Sequence, residues 1–297
     1  MIKGLAITPP ILGRISIGRM IEKNGKRLPE KDDQFTITSQ IQSKEGWVKH
    51  PLDDQLRTNT HNQKLRSIPV RMIFNDPDLN LRAEYTLFDR QTGRPVCVGN
   101  GETCQRLTNQ GVEQHPCPSP DLCPLAQGGN CKPYGRLHVN LDESDEFGTF
   151  IFRTTGFNSI RTLAARLSYY HAASGGLLSC LPLQLILRGK STTQSYRQPV
   201  YYVDLTLREG VDLQSAIHTA REIHQQSKQA GFNQEALDAM ARQGFANARF
   251  EMDMEEGLGV VDEFYKVNDI DRSDSIEPMR KAEDIKNSLR DSYLEIC

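Results

Sequence analysis

The chain has 297 residues, 37% of them hydrophobic and 25% charged, with 36 Lys+Arg against 38 Asp+Glu. That composition is globular and long enough to bury a core, and it excludes low-complexity and collagen-like chains. No apolar run approaches the ~18–20 residues that span a bilayer, and MIKGLAITPPILGRISIGRM lacks the continuous apolar core of a secretory leader, so a cytoplasmic protein with no membrane partner is expected.

Residues 1–65 read as polar and irregular, punctuated by Gly and Pro around the single tryptophan, Trp47, and predict short strands and long loops with a partner surface. Alternation then predicts strands at Ile68–Phe74, Ala83–Asp89 and Pro95–Val98. The next stretch, 99–134, reads as a Pro- and Gly-rich loop holding four of the seven cysteines, Cys104, Cys117, Cys123 and Cys131, spaced C-x12-C-x5-C-x7-C. An odd cysteine count without a secretory leader argues against a disulfide framework. A loop so poor in large apolar residues cannot order itself by burial, whereas four thiolates converging on one Zn2+ can supply the missing free energy. A structural zinc site is therefore expected, with His115 as an alternate ligand to Cys117. The spacing is not that of a paired C-x2-C ribbon, and an iron–sulfur cluster or free thiols are the alternatives. Cys97 (PVCV) and Cys180 (LLSCLPL) read as inert buried thiols, and Cys297 as an unimportant chain end.

Beyond the loop, Gly135–Leu141 and Thr149–Thr154 read as a hairpin across the acidic turn DESDEFG. Asn158 is placed to cap a helix to about Ala173, in which Ile160, Leu163, Ala164 and Leu167 share a face and Gly175-Gly176 is the stop. Strands follow at Leu181–Arg188 and Val200–Arg208, flanking GKSTTQSYRQ. Asp212 then caps a helix to about Ala230, and Asn233 starts another to about Ala248. The acidic stretch about 250–275 reads as a linker to a last amphipathic helix at about 276–296. The fold class is α+β: a mostly antiparallel sheet with a packed helix, an inserted four-Cys zinc loop and a helical C-terminal extension. Residues 1–208 are expected to form the core domain, with the zinc loop at 99–134, and 209–297 the acidic extension.

The near-neutral total charge conceals an asymmetry. Residues 151–208 carry seven cations and one acid, while 209–297 carry ten cations and nineteen acids. A basic middle beside an acidic tail suggests a nucleic-acid surface or a partner-binding arm, although an ordinary solvated face has the same composition. If Leu137/Val139/Leu141, Leu183/Leu185/Leu187 and Tyr201/Val203/Leu205/Leu207 face the core, the opposite face shows Arg136, His138, Asn140, Gln184, Arg188, Tyr202, Thr206 and Arg208. Arg136, His138, Arg153, Arg188, Lys190, Arg197, Tyr202 and Arg208 are the candidate nucleic-acid contacts, through phosphate pairing and base stacking.

Enzyme signatures are mostly absent. There is no phosphate-binding G-x-x-x-x-G-K-[ST], no H-E-x-x-H, no G-x-S-x-G and no deaminase pair of H-x-E with C-x-x-C. His218 and His224 lie six apart on a predicted helix and so on different faces. The acids Asp142, Glu143, Asp145 and Glu146 could hold Mg2+, but four carboxylates in a turn are more often solvated.

The segments CPSPDLCPLAQGGNCKPYGRLHVNL and GTFIFRTTGFNSIRTLAARL resemble the recombination directionality factor-like family of phages and mobile elements, over roughly residues 68–208. The resemblance implies a zinc-binding protein, Cys104, Cys117, Cys123 and Cys131 carrying the metal, that binds an integrase on DNA and switches recombination from integration to excision without chemistry of its own. Arg153, Thr155, Asn158 and Ser159 match the junction motif and bring no catalytic role with them. The acidic helical tail does not match the family pattern. The expected function is thus a zinc-binding, non-enzymatic accessory factor in DNA recombination, with DNA and a recombinase as partners. The alternatives are a metal-dependent hydrolase acting on nucleic acid and a DNA-mimicking or partner-binding inhibitory protein.

Overall fold

The computed structural model of the chain describes residues 10–23, 26–43, 46–58, 60, 63–141, 148–191, 199–247, 261, 264 and 265. The chain divides into two compact units, Met1–Ala83 with Tyr134–Arg249, and Glu84–Pro133 with Phe250–Cys297. Among the described residues no helix is long and apolar enough to cross a membrane.

The larger unit is mixed α+β. It opens with strands β1 (Ile11–Lys23), β2 (Lys26–Ser43) and β3 (Gly46–Lys49), then helix α1 (Pro51–Thr58), strand β4 (Ser67–Met72) and the short helix α2 (Pro77–Asn80). Strands β9 (Cys131–Leu141) and β10 (Thr149–Thr154), helix α3 (Phe157–Ser174), strands β11 (Leu183–Ser191) and β12 (Pro199–Leu207), and helices α4 (Leu213–Gln229) and α5 (Gln234–Asn247) complete it. Its sheet runs β3-β2-β1-β10-β9-β4-β11-β12, antiparallel except for the β1–β10 pair. Leu137, Val139, Leu183, Leu185, Val203 and Leu205 are fully buried on one face, joined by Leu163 and Leu167 of α3 and Ala216 and Ala220 of α4. Period-2 alternation in the strands and period-3.6 spacing in α3 thus feed one core.

The mostly antiparallel sheet and the elements from 135 to 247 agree with the sequence pattern to within about two residues, except that β9 starts four residues earlier, at Cys131, and β11 runs three further, to Ser191. Two details differ. Asn158 does not cap α3: the cap position is Gly156, without a side-chain hydrogen bond, and Asn158 Oδ1 accepts from Lys190 Nζ at 3.1 Å. Among the described residues the first 65 positions hold long strands instead of irregular loops, because the alternation that buries Ile15, Phe35 and Ile37 is short and runs into the polar string 22–34. A register shift between Ile17 and Arg19, where Gly18 has φ 88°, breaks the pattern further.

Two contacts fix the ends of this sheet. Asp53 of α1 is fully buried; it accepts from the Ile37 backbone at 2.9 Å and from Arg57 Nε at 2.6 Å, and Arg57 also reaches the Phe35 carbonyl at 2.7 Å. At the other end Ser159 of α3 accepts the Val203 backbone N–H at 3.1 Å. Among the described residues β12 pairs only β11, and Ser159 occupies a donor on its other edge.

In the smaller unit, β6 (Pro95–Gly99), β7 (Thr103–Thr108) and β8 (Gly111–Pro116) continue from β5 (Leu81–Phe88) as an antiparallel meander. A 3-10 turn at Pro124–Gly129 follows. The stretch read as one long loop therefore contains a hairpin, β7–β8, whose turn uses Gly111 at φ 116°. Phe264 and Tyr265, within the stretch expected to be a linker, are buried: Phe264 packs edge-on against Phe88 at 4.9 Å and Tyr265 Oη donates to the Asn130 carbonyl at 2.7 Å. The acidic turn 142–147, the loop 192–198 and the helix expected at 276–296 lie outside the described residues.

Candidate metal centre and candidate nucleic-acid face

The meander places the cysteines by register. On β6 and β7, Gly99 pairs with Cys104 and Cys97 with Arg106; on β7 and β8, Cys104 pairs with His115. Period-2 alternation puts Cys97, Gly99, Cys104, Arg106 and His115 on a common face. Cys117 follows β8, its N–H bound to the Glu102 carbonyl at 2.8 Å, and Cys123 and Cys131 bracket the 3-10 turn. A Cβ on Gly99 would stand 2.7 Å from Cys104 Cβ and 2.8 Å from Cys117 Sγ, so the absence of a side chain there is what lets Cys117 approach Cys104.

The thiols sense one another. Cys131 is pushed up to about 12 by burial, with repulsion from Cys97, Cys123, Cys117 and Cys104 adding to it. Burial also pushes Cys97 up to about 12, against the pull of its hydrogen bond with Arg106. Cys97 therefore stands within this cluster, not apart from it as its apolar sequence context suggested. The signal was available in the alternation, since a strand through Gly99 carries Cys97 on the same face. His115 sits 3.3 Å from Glu113. The donor set is the kind that suits Zn2+, because buried thiolates repel one another until a cation sits among them. Among the described residues, however, no group of three or more His, Cys, Asp or Glu side chains stands at coordinating positions.

The candidate nucleic-acid residues fall into two groups in the larger unit. Arg136, His138 and Arg153 lie on the sheet face opposite the core, Arg153 paired in register with Arg136 and Ile151 with His138. This part of the face is covered, not open: His138 is only 4% exposed and stacks on Phe245 of α5 with ring centroids 5.9 Å apart. Arg82, absent from the sequence-based set, lies over the same Phe245 ring at 4.8 Å. The second group gathers where β11 and β12 meet α3. Arg188 pairs in register with Tyr202 and, with Arg166, holds the buried carboxylate of Asp204 at 2.7 and 3.0 Å. Lys190 stands 6.0 Å from the Tyr202 ring centroid. Arg208 reaches the Leu183 carbonyl at 3.4 Å, and Arg197 lies outside the described residues. Arg166 and Arg188 remain half exposed, so each can turn part of its guanidinium to a further anion.

A family model described as Gp3-like, recombination directionality factor-like, matches residues 12–208. Nothing among curated proteins or solved structures matches the chain.

Proposed function

The chain belongs to the Gp3-like, recombination directionality factor-like family, and on that premise we propose that it is a zinc-binding, non-enzymatic accessory factor in the DNA recombination of a phage or mobile element. The family match over 12–208 carries this reading, and the family's description supports a role in recombination. In the proposed role it acts in the cytoplasm by contacting a recombinase on its DNA. Zn2+ would be held by Cys104, Cys117, Cys123 and Cys131, with His115 as the alternate ligand. Its role would be structural, tying the β7–β8 hairpin and the 3-10 turn into one body. What supports this is the donor chemistry and the common neighbourhood of the thiols. Arg188, Lys190, Arg197, Tyr202 and Arg208 would supply weak, salt-sensitive phosphate contacts.

The test is recombination in vitro with the large serine integrase of the same element and its paired attachment sites. Adding the full-length protein is expected to stimulate the excisive reaction and suppress the integrative one, with no cleavage of DNA by the protein alone. Unchanged direction together with metal-dependent hydrolysis of nucleic acid would replace the reading with the hydrolase alternative.

A further inference from the structure

The surface where α3 meets β11 and β12 carries more than phosphate contacts. Of the large aromatic side chains more than half exposed among the described residues, Phe157, Tyr169 and Phe232, two stand on α3. Exposed apolar groups gathered in one place mark a contact surface. Asn158, Thr162 and Arg166 recur every four residues and form one row along the helix. That row lies against the strands: Asn158 Oδ1 accepts from Lys190 Nζ at 3.1 Å, and Arg166 Nε donates to Asp204 at 3.0 Å. Phe157 and Arg161 form the adjoining row, both exposed. From Phe157 to Tyr169 the helix spans about 18 Å at 1.5 Å per residue. On the strand side stands Tyr202, partly exposed, with Lys190 Nζ 6.0 Å from its ring centroid and Arg188 opposite it in register.

Three rings are thus interleaved with four cations along one strip. Within 151–208, the segment that builds it, Asp204 is the one acid. That carboxylate is buried and shared between Arg166 and Arg188 at 3.0 and 2.7 Å, so it is consumed internally. Each guanidinium has five donors and stays about half exposed, which leaves donors for a second anion.

The rings decide which anion. Cations pair with the phosphates of any nucleic acid, but Phe157 has no polar atom in its side chain and can offer only a ring face. In a duplex each base face is covered by the next pair, and an exposed ring finds nothing to stack on. In a single strand the faces are open. Rings that stack bases beside cations that follow the backbone are the combination by which single strands are bound.

We propose that this strip binds single-stranded DNA, with bases stacked on Phe157 and Tyr202 and phosphates held by Arg161, Arg166, Arg188 and Lys190. The choice of DNA over RNA rests on the recombination role proposed above; the choice of a single strand rests on the exposed rings.

The test is fluorescence anisotropy of a labelled 20-nucleotide oligo-dT with the full-length chain, against a 20-base-pair duplex and a 20-nucleotide oligo-U at the same ionic strength. Oligo-dT is expected to bind at least tenfold more tightly than the duplex, with an affinity that falls as salt rises. Phe157→Ala removes an exposed ring and is expected to melt as the wild type does, to weaken oligo-dT binding at least fivefold and to leave duplex binding unchanged. Arg161→Gln is expected to flatten the salt dependence, while Arg166 and Arg188 are kept because they hold Asp204. Oligo-dT bound no more tightly than the duplex overturns the proposal, as does a folded Phe157→Ala variant that binds oligo-dT like the wild type. Tighter binding of oligo-U than of oligo-dT reassigns the strip to RNA and also overturns it. If the alanine variant does not fold, the wild-type comparison of oligo-dT with duplex still decides. A chain that redirects recombination yet binds no oligo-dT keeps the recombination role and loses the strip; one that binds oligo-dT without redirecting recombination does the converse.

Discussion

Asp53 ties helix α1 to strand β2 in the N-terminal part of the larger unit. Its carboxylate is fully buried, and burial alone would raise its pKa; the hydrogen bond from Arg57, the Ile37 N–H and the nearby charges of Arg57 and Lys49 outweigh that and hold it below the ordinary 3.8. A carboxyl with a depressed folded pKa stabilises the fold above its unfolded value, and that contribution is lost as the pH falls through the folded value. Replacing Arg57 by Ala leaves the buried carboxylate without its main partner and is expected to cost about 3–5 kcal/mol in urea denaturation at pH 7. Asp53→Asn should likewise be destabilised at pH 7, and its deficit against the wild type should shrink as the pH is taken below about 4. A deficit that stays constant down to pH 3 would mean that the charge of Asp53 contributes nothing. The same physics explains why this pair was not visible beforehand. Asp53 and Arg57 are four apart in a polar string, and nothing in that string says which faces of α1 and β2 will meet.

At the scale of elements, strands that bury one face and helices with capped ends were legible. The α4 cap at Asp212, which accepts from the Ser215 N–H at 3.0 Å, and the left-handed stop of α3 at Gly175 were readable from residue type and position. So was the core parity of β9, whose apolar residues alternate from Leu137 to Leu141, and of β11 and β12, where Leu183/Leu185/Leu187 and Val203/Leu205 keep the inward positions although Ile186 and Tyr202 interrupt the pattern. The β1–β2 hairpin was hidden by the polar string 22–34 and by its bulge. The β7–β8 hairpin was hidden because its outward residues are as polar as a loop, apart from Leu107 and Val112, which stay exposed. The cover over His138 could not be read from sequence at all, since it rests on Phe245, more than 100 residues away. Within the thiol cluster Gly99 is the element-level determinant, as its bare backbone leaves room for Cys117 beside Cys104. Gly99→Ala is therefore expected to cost roughly 1–3 kcal/mol through overpacking. It should also lower the zinc retained by the purified chain. An alanine variant with wild-type melting and full zinc would show that Cys117 need not approach Cys104.

At the scale of the molecule, the total charge of −2 averages chemistries placed in different parts of the chain. The thiols lie in the unit built from 84–133 and 250–297, and the arginine-lined sheet face in the unit built from 1–83 and 134–249. The family match ends at residue 208, so helices α4 and α5 extend beyond it while remaining part of the larger unit. The proposed zinc ion would organise the stretch 99–134, which has few large apolar side chains of its own. The most direct measurement is the metal content of the purified full-length protein by plasma mass spectrometry, made alongside its thermal melt with and without a chelator. One zinc per chain is expected, with a lower melting temperature on chelation and loss of both the zinc and the chelator effect in the Cys117→Ser/Cys123→Ser variant. A wild-type protein that is folded and metal-free, with a melt that chelation does not change, would contradict it.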